Sequence, residues 1–242
     1  MSTVWLSIGT IGMALGMVAF ILMGLRAPQG SRYFFVITAS ITLIAFISYL
    51  VMTTGQGTTI LTTAGGETRE FYWARYVDWL LTTPLLLLDL ALLALSRPGQ
   101  STGLISGIIA LDVLMILTGL GAGFSTNAFI QVVLFLISTA ALVAVLYLVV
   151  TRLLQAARGR SPALARVFNT LAGLTVVLWA FYPVVFLLGS EGFGAVGLTT
   201  EIFMFMVLDL LAKVGFGFLL LTSRDALSDL TGGGRMQASR VA

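Results

Sequence analysis

The chain has 242 residues, of which 58% are hydrophobic and only 10% are charged, against roughly 45–50% and about 25% in soluble domains. So little charge excludes a pair of soluble domains and favours a membrane protein. The net charge of +3 comes from residues that do not cluster on one soluble face, so no nucleic-acid partner is expected. Cysteine and histidine are both absent, which excludes disulfides and thiolate nucleophiles and leaves no metal site to expect.

Seven apolar stretches are long enough to span a membrane, because about 30 Å of hydrocarbon requires roughly 20 helical residues. In chain order they cover residues 4–25, 31–54, 70–95, 102–123, 127–154, 163–189 and 198–223. The sequence therefore predicts an all-α fold, a bundle of seven transmembrane helices. We expect one membrane domain over residues 1–228 and a flexible cytoplasmic tail over residues 229–242. No basic residue precedes the first stretch, so we interpret it as a retained span and not as a signal peptide.

The arginines predict the orientation of the bundle. Ten of them lie on one side of the seven spans: Arg26, Arg32, Arg97, Arg152, Arg158, Arg160, Arg166, Arg224, Arg235 and Arg240. On the other side, Arg69 is the only basic residue. The positive-inside rule makes the arginine-rich side cytoplasmic, so we expect an extracellular N-terminus and a cytoplasmic C-terminus.

Ionisable side chains within the predicted spans or at their ends are costly, at about 2.5 to 3.5 kcal/mol each at a helix centre. There are seven of them: Arg75, Asp78, Asp89, Asp112, Glu201, Asp209 and Lys213. Internal ion pairing is the structural explanation. However, one arginine and one lysine cannot neutralise four aspartates, so the pattern favours a functional role.

The third span carries two of these carboxylates on one face. Asp78 and Asp89 are 11 residues apart, about 20° from a whole number of turns and about 16 Å apart along the axis. Thr82 lies one turn from Asp78 on the same face, and Arg75 is within i,i+3 reach of Asp78 on the outer side. The spacing predicts a polar track from the outer to the inner half of the membrane.

Lys213 is the only lysine of the chain, and it follows Asp209 by four residues in the seventh span. A lysine, unlike an arginine, can lose its proton and form a Schiff base with an aldehyde. The pattern thus favours a covalently bound aldehyde at Lys213, with Asp209 and Asp78 as counter-ions. A purely structural ion pair between Asp209 and Lys213 is the alternative.

Aromatic residues are candidates to line a pocket near this lysine. They are Tyr49, Trp79, Phe135, Trp179, Tyr182 and Phe186. The last three follow i, i+3, i+7 spacing on one helix face, a pattern that ordinary core packing also produces. Pro84 and Pro183 are expected to bend the third and sixth spans.

Three motifs resemble a known family: RYVDWLLTTPLLLLDL (75–90), LWAFYPVVFLLGSEG (178–192) and FMVLDLLAKVGFG (205–217). They are similar to helices three, six and seven of the microbial rhodopsins, specifically the bacteriorhodopsin-type light-driven proton pumps. The resemblance runs in order through all seven spans.

The resemblance implies a role for each buried charge. Lys213 binds all-trans retinal as a protonated Schiff base, Asp78 is the counter-ion and proton acceptor, and Asp209 is the second counter-ion. Asp89 is the cytoplasmic proton donor. Arg75 gates the extracellular half, in which Glu191 and Glu201 correspond to the proton-release pair. Retinal contacts would come from Tyr49, Trp79, Thr83, Asp112, Met115, Phe135, Ser138, Trp179, Tyr182 and Phe186, with Asp112 hydrogen-bonded to Thr83.

The function implied by the resemblance is an outward proton pump, a photoreceptor and ion transporter and not an enzyme, in the cell membrane of a prokaryote. Its partners would be membrane lipids, protons and internal waters, and a homo-oligomer, such as a trimer, is expected. A sensory photoreceptor is one alternative, but family sensors usually lack a carboxyl at the position of Asp89. A halide pump would carry a neutral residue at Asp78. A non-photoactive seven-helix receptor or a structural membrane protein is a further alternative.

Some positions depart from the family pattern. Phe135 and Phe186 stand where archaeal pumps usually have tryptophan, and Thr42 stands where they have proline. The ring substitutions bear on the absorption maximum. The missing histidine argues against the proteobacterial pump subfamily, in which the counter-ion typically pairs with one.

Overall fold

The structure is a computed structural model that describes residues 2–62, 66, 68–95, 98–223, 226, 227 and 229. Almost all of the predicted tail lies outside these residues, as do Arg97, Arg224, Arg235 and Arg240. The boundary between membrane domain and tail therefore stays a prediction.

Within the described residues, seven helices are long and apolar enough to cross a membrane. They are α1 (Ser2–Leu25), α2 (Arg32–Thr53), α3 (Trp73–Ala94), α4 (Thr102–Phe124), α5 (Ala128–Arg158), α6 (Pro162–Leu188) and α7 (Leu198–Leu221). The predicted all-α fold of seven transmembrane helices is confirmed, with ends that agree to within a few residues. The orientation of the termini stays a prediction.

Local signals explain where two of the helices begin. The side chain of Asn127 accepts a hydrogen bond from the backbone N–H of Ile130 at the start of α5. Ser161 does the same for Leu164 at the start of α6, where Pro162 occupies the first turn. Such caps satisfy amide groups that have no partner inside the helix.

A β-hairpin precedes α3, and the sequence analysis did not predict it. Strands β1 (Thr59–Thr62) and β2 (Thr68–Phe71) pair antiparallel, with Ile60 opposite Glu70. The third span was expected from residue 70, whereas α3 begins at Trp73. The span was predicted from the length of an apolar stretch, which does not distinguish an extended segment from the helix that follows it. The predicted span therefore began before the helix does. We refer to this side of the bundle as the hairpin end.

In the part of the chain that the structure describes, two helices contain a turn of π-helix, at Val149–Leu153 in α5 and at Leu210–Gly215 in α7. Lys213 lies in the second, and single π-turns often mark functional sites. Pro84 and Pro183 lie inside α3 and α6, which continue past them. The expected bends at these prolines stay a prediction.

Helix α3 is the most enclosed element of the bundle. In its most apolar stretch 61% of the residues are buried, against 22% in α1, α4 and α5. The outer faces of the helices carry exposed aliphatic side chains such as Ile11, Leu15 and Leu136, which suits contact with lipid. The charged residues of α3 therefore lie in the protein interior and not against lipid.

Candidate functional site

The ammonium group of Lys213 lies between two carboxylates at the centre of the bundle. Its Nζ donates to Oδ2 of Asp78 on α3 at 2.8 Å and to Oδ1 of Asp209 on α7 at 2.7 Å. All three side chains are at most 2% exposed. One cation thus lies between two carboxylates that are shielded from bulk water.

The two carboxylates differ in their hydrogen bonds. Besides Lys213, Asp209 accepts from the Tyr49 hydroxyl at 2.7 Å, the Trp79 indole at 3.0 Å and the Tyr182 hydroxyl at 2.9 Å. Besides Lys213, Asp78 accepts one weak bond, from Thr82 at 3.4 Å. The carboxylate of Asp209 thus accepts four hydrogen bonds and that of Asp78 accepts two, and such donors stabilise the ionised form of a carboxyl group.

A cavity with mainly apolar walls opens beside Lys213. Residues that line it include Tyr76, Trp79, Thr83, Leu86, Met115, Ile116, Gly119, Phe135, Ser138, Thr139, Leu142, Trp179, Tyr182, Pro183, Phe186, Phe205, Ala212 and Lys213. A long apolar aldehyde is compatible with this lining, because the lining contains one amine, that of Lys213, among aromatic and aliphatic side chains.

Most predicted pocket residues line this cavity, and two do not. Tyr49 points to Asp209, and its ring packs against Gly9 of α1. Tyr49 is thus not among the residues that line the cavity, and its contact with the chromophore stays a prediction. Asp112 stands behind the wall, where it accepts a 2.8 Å hydrogen bond from Thr83, the partner predicted for it. Sequence reasoning missed several wall residues, among them Tyr76 and Phe205.

Asp89 lies further along α3, in a stretch of the helix where leucines such as Leu86 and Leu90 are also buried. It is fully buried, and its Oδ2 accepts a 3.3 Å hydrogen bond from Thr38 of α2. Its Oδ1 has no partner among the described residues. The sequence analysis missed Thr38, whose only signal was a hydroxyl within an apolar helix. Thr38 and Asp89 together form a polar pair on the side of the bundle away from the hairpin.

At the hairpin end a second acidic cluster surrounds Arg75. Its Nη1 lies 3.3 Å from Oε1 of Glu201, and its guanidinium stacks 4.2 Å from the ring centroid of Phe205. Arg75 is within i,i+3 reach of Asp78, but its hydrogen bond is to Glu201 of α7.

Glu191 belongs to the same cluster, although Glu191 and Glu201 lie on different elements. Tyr76 donates a 2.6 Å hydrogen bond to its Oε2, and the Gln131 amide donates to its backbone carbonyl. Burial, and next the charge of Glu201, raise the pKa of Glu191 to about 7. This carboxyl can therefore hold or release a proton near neutral pH.

Comparisons with known proteins agree with this geometry. A family model described as bacteriorhodopsin-like protein matches residues 1–227. Archaerhodopsin-3 of Halorubrum sodomense is 46% identical over 94% of this chain and 86% of its own length. Bacteriorhodopsin of a Haloterrigena strain is 48% identical over 93% and 89%.

Solved structures agree as well. Thermophilic rhodopsin from Rubrobacter xylanophilus superposes with a TM-score of 0.92 at 60% identity, covering 95% of this chain and 99% of that one. A light-driven proton pump from Leptosphaeria maculans gives a TM-score of 0.86 at 34% identity, with 95% and 96% covered. Seven apolar helices with archaeal and bacterial relatives indicate a multi-pass membrane protein of a prokaryote. The chain belongs to the bacteriorhodopsin-like family.

Proposed function

We propose that this protein is a light-driven proton pump that binds all-trans retinal covalently at Lys213 and moves protons from the cytoplasm to the exterior. Proteins of the bacteriorhodopsin family bind retinal. The observation that carries the proposal is the position of Lys213, which reaches both Asp78 and Asp209 at the edge of an aromatic cavity.

The chromophore would be held by the walls already described. Trp79 and Trp179, with Tyr182 and Phe186, provide flat apolar surfaces on α3 and α6, and Met115 with Ser138 closes the side formed by α4 and α5. Phe135 and Phe186 stack 5.0 Å apart. Bound there, retinal supplies light absorption and an isomerisation that reorients the proton on Nζ of Lys213.

The first transfer takes that proton from Nζ to Asp78. The 2.8 Å contact with Oδ2 provides a direct path. Asp209 remains ionised because three donors still bind it after Nζ has lost its proton: Tyr49, Trp79 and Tyr182. Thr82 orients Asp78 through its weak bond to Oδ1. Asp78 thus serves as acceptor and Asp209 as the permanent counter-ion.

The return of a proton to Nζ is assigned to Asp89. A fully buried carboxyl, with one oxygen unpartnered, favours its neutral form, because desolvation penalises the charge. Thr38 holds it in place. Asp89 can donate when this half of the bundle admits water, so the proton reaches Nζ from the side opposite Asp78.

Release to the exterior is assigned to the cluster at the hairpin end. Protonation of Asp78 removes a negative charge that attracts the guanidinium of Arg75. This guanidinium already contacts Glu201 and Phe205 of α7. A shift of this cation toward Glu191 and Glu201 would favour loss of a proton from Glu191. This assignment places the hairpin end outside the cell, as the arginine distribution predicts.

Two other assignments belong to the same proposal. Internal waters would bridge the polar groups of the track, since Asp78 and Asp89 are half a membrane apart on α3. Lipid contacts follow from the exposed aliphatic faces. The family resemblance is the only support for a homo-oligomer, such as a trimer.

Illumination of cells that express the chain with all-trans retinal tests the proposal. We expect external acidification that a protonophore abolishes, and no acidification with Asp78→Asn. A light-induced signal that is absent, or that resists the protonophore, would contradict pumping. Retained absorption without proton transport would favour the sensory alternative.

A further inference from the structure

Arg69 on strand β2 binds three backbone carbonyls from two other parts of the chain. Its Nη2 donates to the carbonyls of Gly123 at 2.6 Å and Ser125 at 3.1 Å, and its Nη1 donates to that of Ser190 at 3.3 Å. The side chain is half-buried. One guanidinium thus joins the hairpin, the end of α4 and the segment between α6 and α7.

Two of these acceptors lie where a helix leaves carbonyls without intrahelical partners. Gly123 is in the last turn of α4, and Ser125 is its C-terminal cap. A cation is favourable at this end of a helix dipole. The contacts with α4 therefore anchor Arg69, and the anchored guanidinium can fix the third carbonyl.

That third carbonyl belongs to a segment that positions both glutamates of the release cluster. Ser190 donates from its backbone N–H and its hydroxyl to Oε2 of Glu201, at 2.8 Å each. The next residue is Glu191, whose own carbonyl accepts from Gln131. A shift of Ser190 would therefore move both carboxylates.

We propose that Arg69 is a positioning residue for proton release: it fixes the Ser190–Glu191 backbone from the hairpin side and so holds Glu191 and Glu201 in their cluster. This role rests on the proposed pump function. Arg69 transfers no proton itself.

The charges around Glu191 determine the direction of the expected effect. Tyr76 and Arg75 face it from α3, Glu201 from α7 and Arg69 from β2. Arg69, like Arg75, favours the ionised form of Glu191, whereas burial and Glu201 favour the neutral form. Loss of Arg69 should therefore let Glu191 keep its proton to a higher pH.

The test is a titration of Glu191 in the dark, in purified protein reconstituted with all-trans retinal. Infrared spectroscopy follows the carboxylic C=O band that Glu191→Gln removes. We expect Arg69→Gln to raise the midpoint by roughly 0.5 pH unit or more. Arg69→Lys, which keeps the charge but not the three-way contact, should give a smaller rise. Arg152→Gln is the matched control, because it removes an exposed arginine from the opposite end of the bundle.

An unchanged midpoint in Arg69→Gln, with normal visible absorption, would overturn the proposal, and so would an equal rise in Arg152→Gln. If Arg69→Gln does not fold, Arg69→Lys is the deciding variant. An unchanged midpoint of Glu191 in Arg69→Lys would then overturn the positioning role. Light-driven release measured with a pH dye should be delayed in Arg69→Gln. The titration needs no light, so it tests the positioning role of Arg69 independently of pumping. A wild-type protein that fails to pump would refute the pump function, and the titration would still decide whether Arg69 positions Glu191.

Discussion

Tyr49 on α2 donates a 2.7 Å hydrogen bond from its hydroxyl to Asp209 on α7, 160 residues further along the chain. The ring lies directly against α1, so a Cβ added to Gly9 would overlap two of its carbons. The absence of a side chain at Gly9 thus allows Tyr49 to reach Asp209.

Gly9→Ala should therefore destabilise the protein and disturb Asp209. We expect a loss of about 1–3 kcal/mol in the free energy of unfolding from overpacking, together with a shifted visible band. Gly107→Ala is the control, since nothing lies within 4 Å of its added Cβ on α4 and alanine favours a helix by up to about 1 kcal/mol. Thermal denaturation and absorption spectra check both. Equal stability of the two variants would show that the close approach of α1 and α2 does not contribute to the free energy of unfolding.

Thr38→Val should slow reprotonation by Asp89, because the anion left after donation would lose its hydrogen bond. A loss of about 1.4 kcal/mol corresponds to a tenfold slower step. Asp89→Asn should slow it further, and added azide should restore the rate. Flash photolysis measures these rates.

Thr42→Val is the matched control for Thr38→Val. Thr42 is also buried on α2, but its hydroxyl bonds only to carbonyls of its own helix among the described residues. Its substitution should leave the rate unchanged. If both valine variants slow the step equally, the specific role of Thr38 fails.

Acidification should shift the visible band to the red as Asp78 takes up a proton and the positive charge at Lys213 loses a counter-ion. Asp78→Asn should be red-shifted at neutral pH and show no such transition. Asp112→Asn should keep it, since Asp112 bonds to Thr83 and not to Lys213. A transition that persists in Asp78→Asn would assign the titration to another group.

Glu191 should make stability depend on pH. Its pKa is about 7 in the folded protein against an ordinary value of 4.5, so the folded state binds this proton more tightly than the unfolded state. The resulting stabilisation is full below about pH 4.5 and is lost as the pH rises to about 7. Denaturation temperatures of the wild type and Glu191→Gln, compared across this range, should diverge in that direction. A constant difference would show that Glu191 titrates normally.

The sequence predicts contacts within one helix better than contacts between helices. The i,i+4 pair of Asp209 and Lys213 follows from helix geometry alone, and the resemblance supplied the bond between Asp112 and Thr83. Thr38 and Tyr49 could not be assigned from periodicity, because their partners depend on how α2 is rotated against α3 and α7. The ion pair between Arg75 and Glu201 could not be derived from periodicity for the same reason, because Glu201 is on another helix.

The hairpin and the π-turns illustrate a second limit. Residues 59–71 mix apolar, β-branched and charged side chains, and only the paired register of β1 and β2 makes them strands. The π-turn at Leu210–Gly215 leaves no trace in an apolar helical pattern. Hydrophobic periodicity therefore predicts neither feature.

Mass spectrometry of the retinal-treated protein, after reduction with borohydride, shows whether retinal is attached to Lys213. We expect one retinyl group per chain, on the peptide that contains Lys213, and none in Lys213→Ala. An unmodified Lys213 in a protein that absorbs visible light, or an adduct elsewhere, would contradict this attachment.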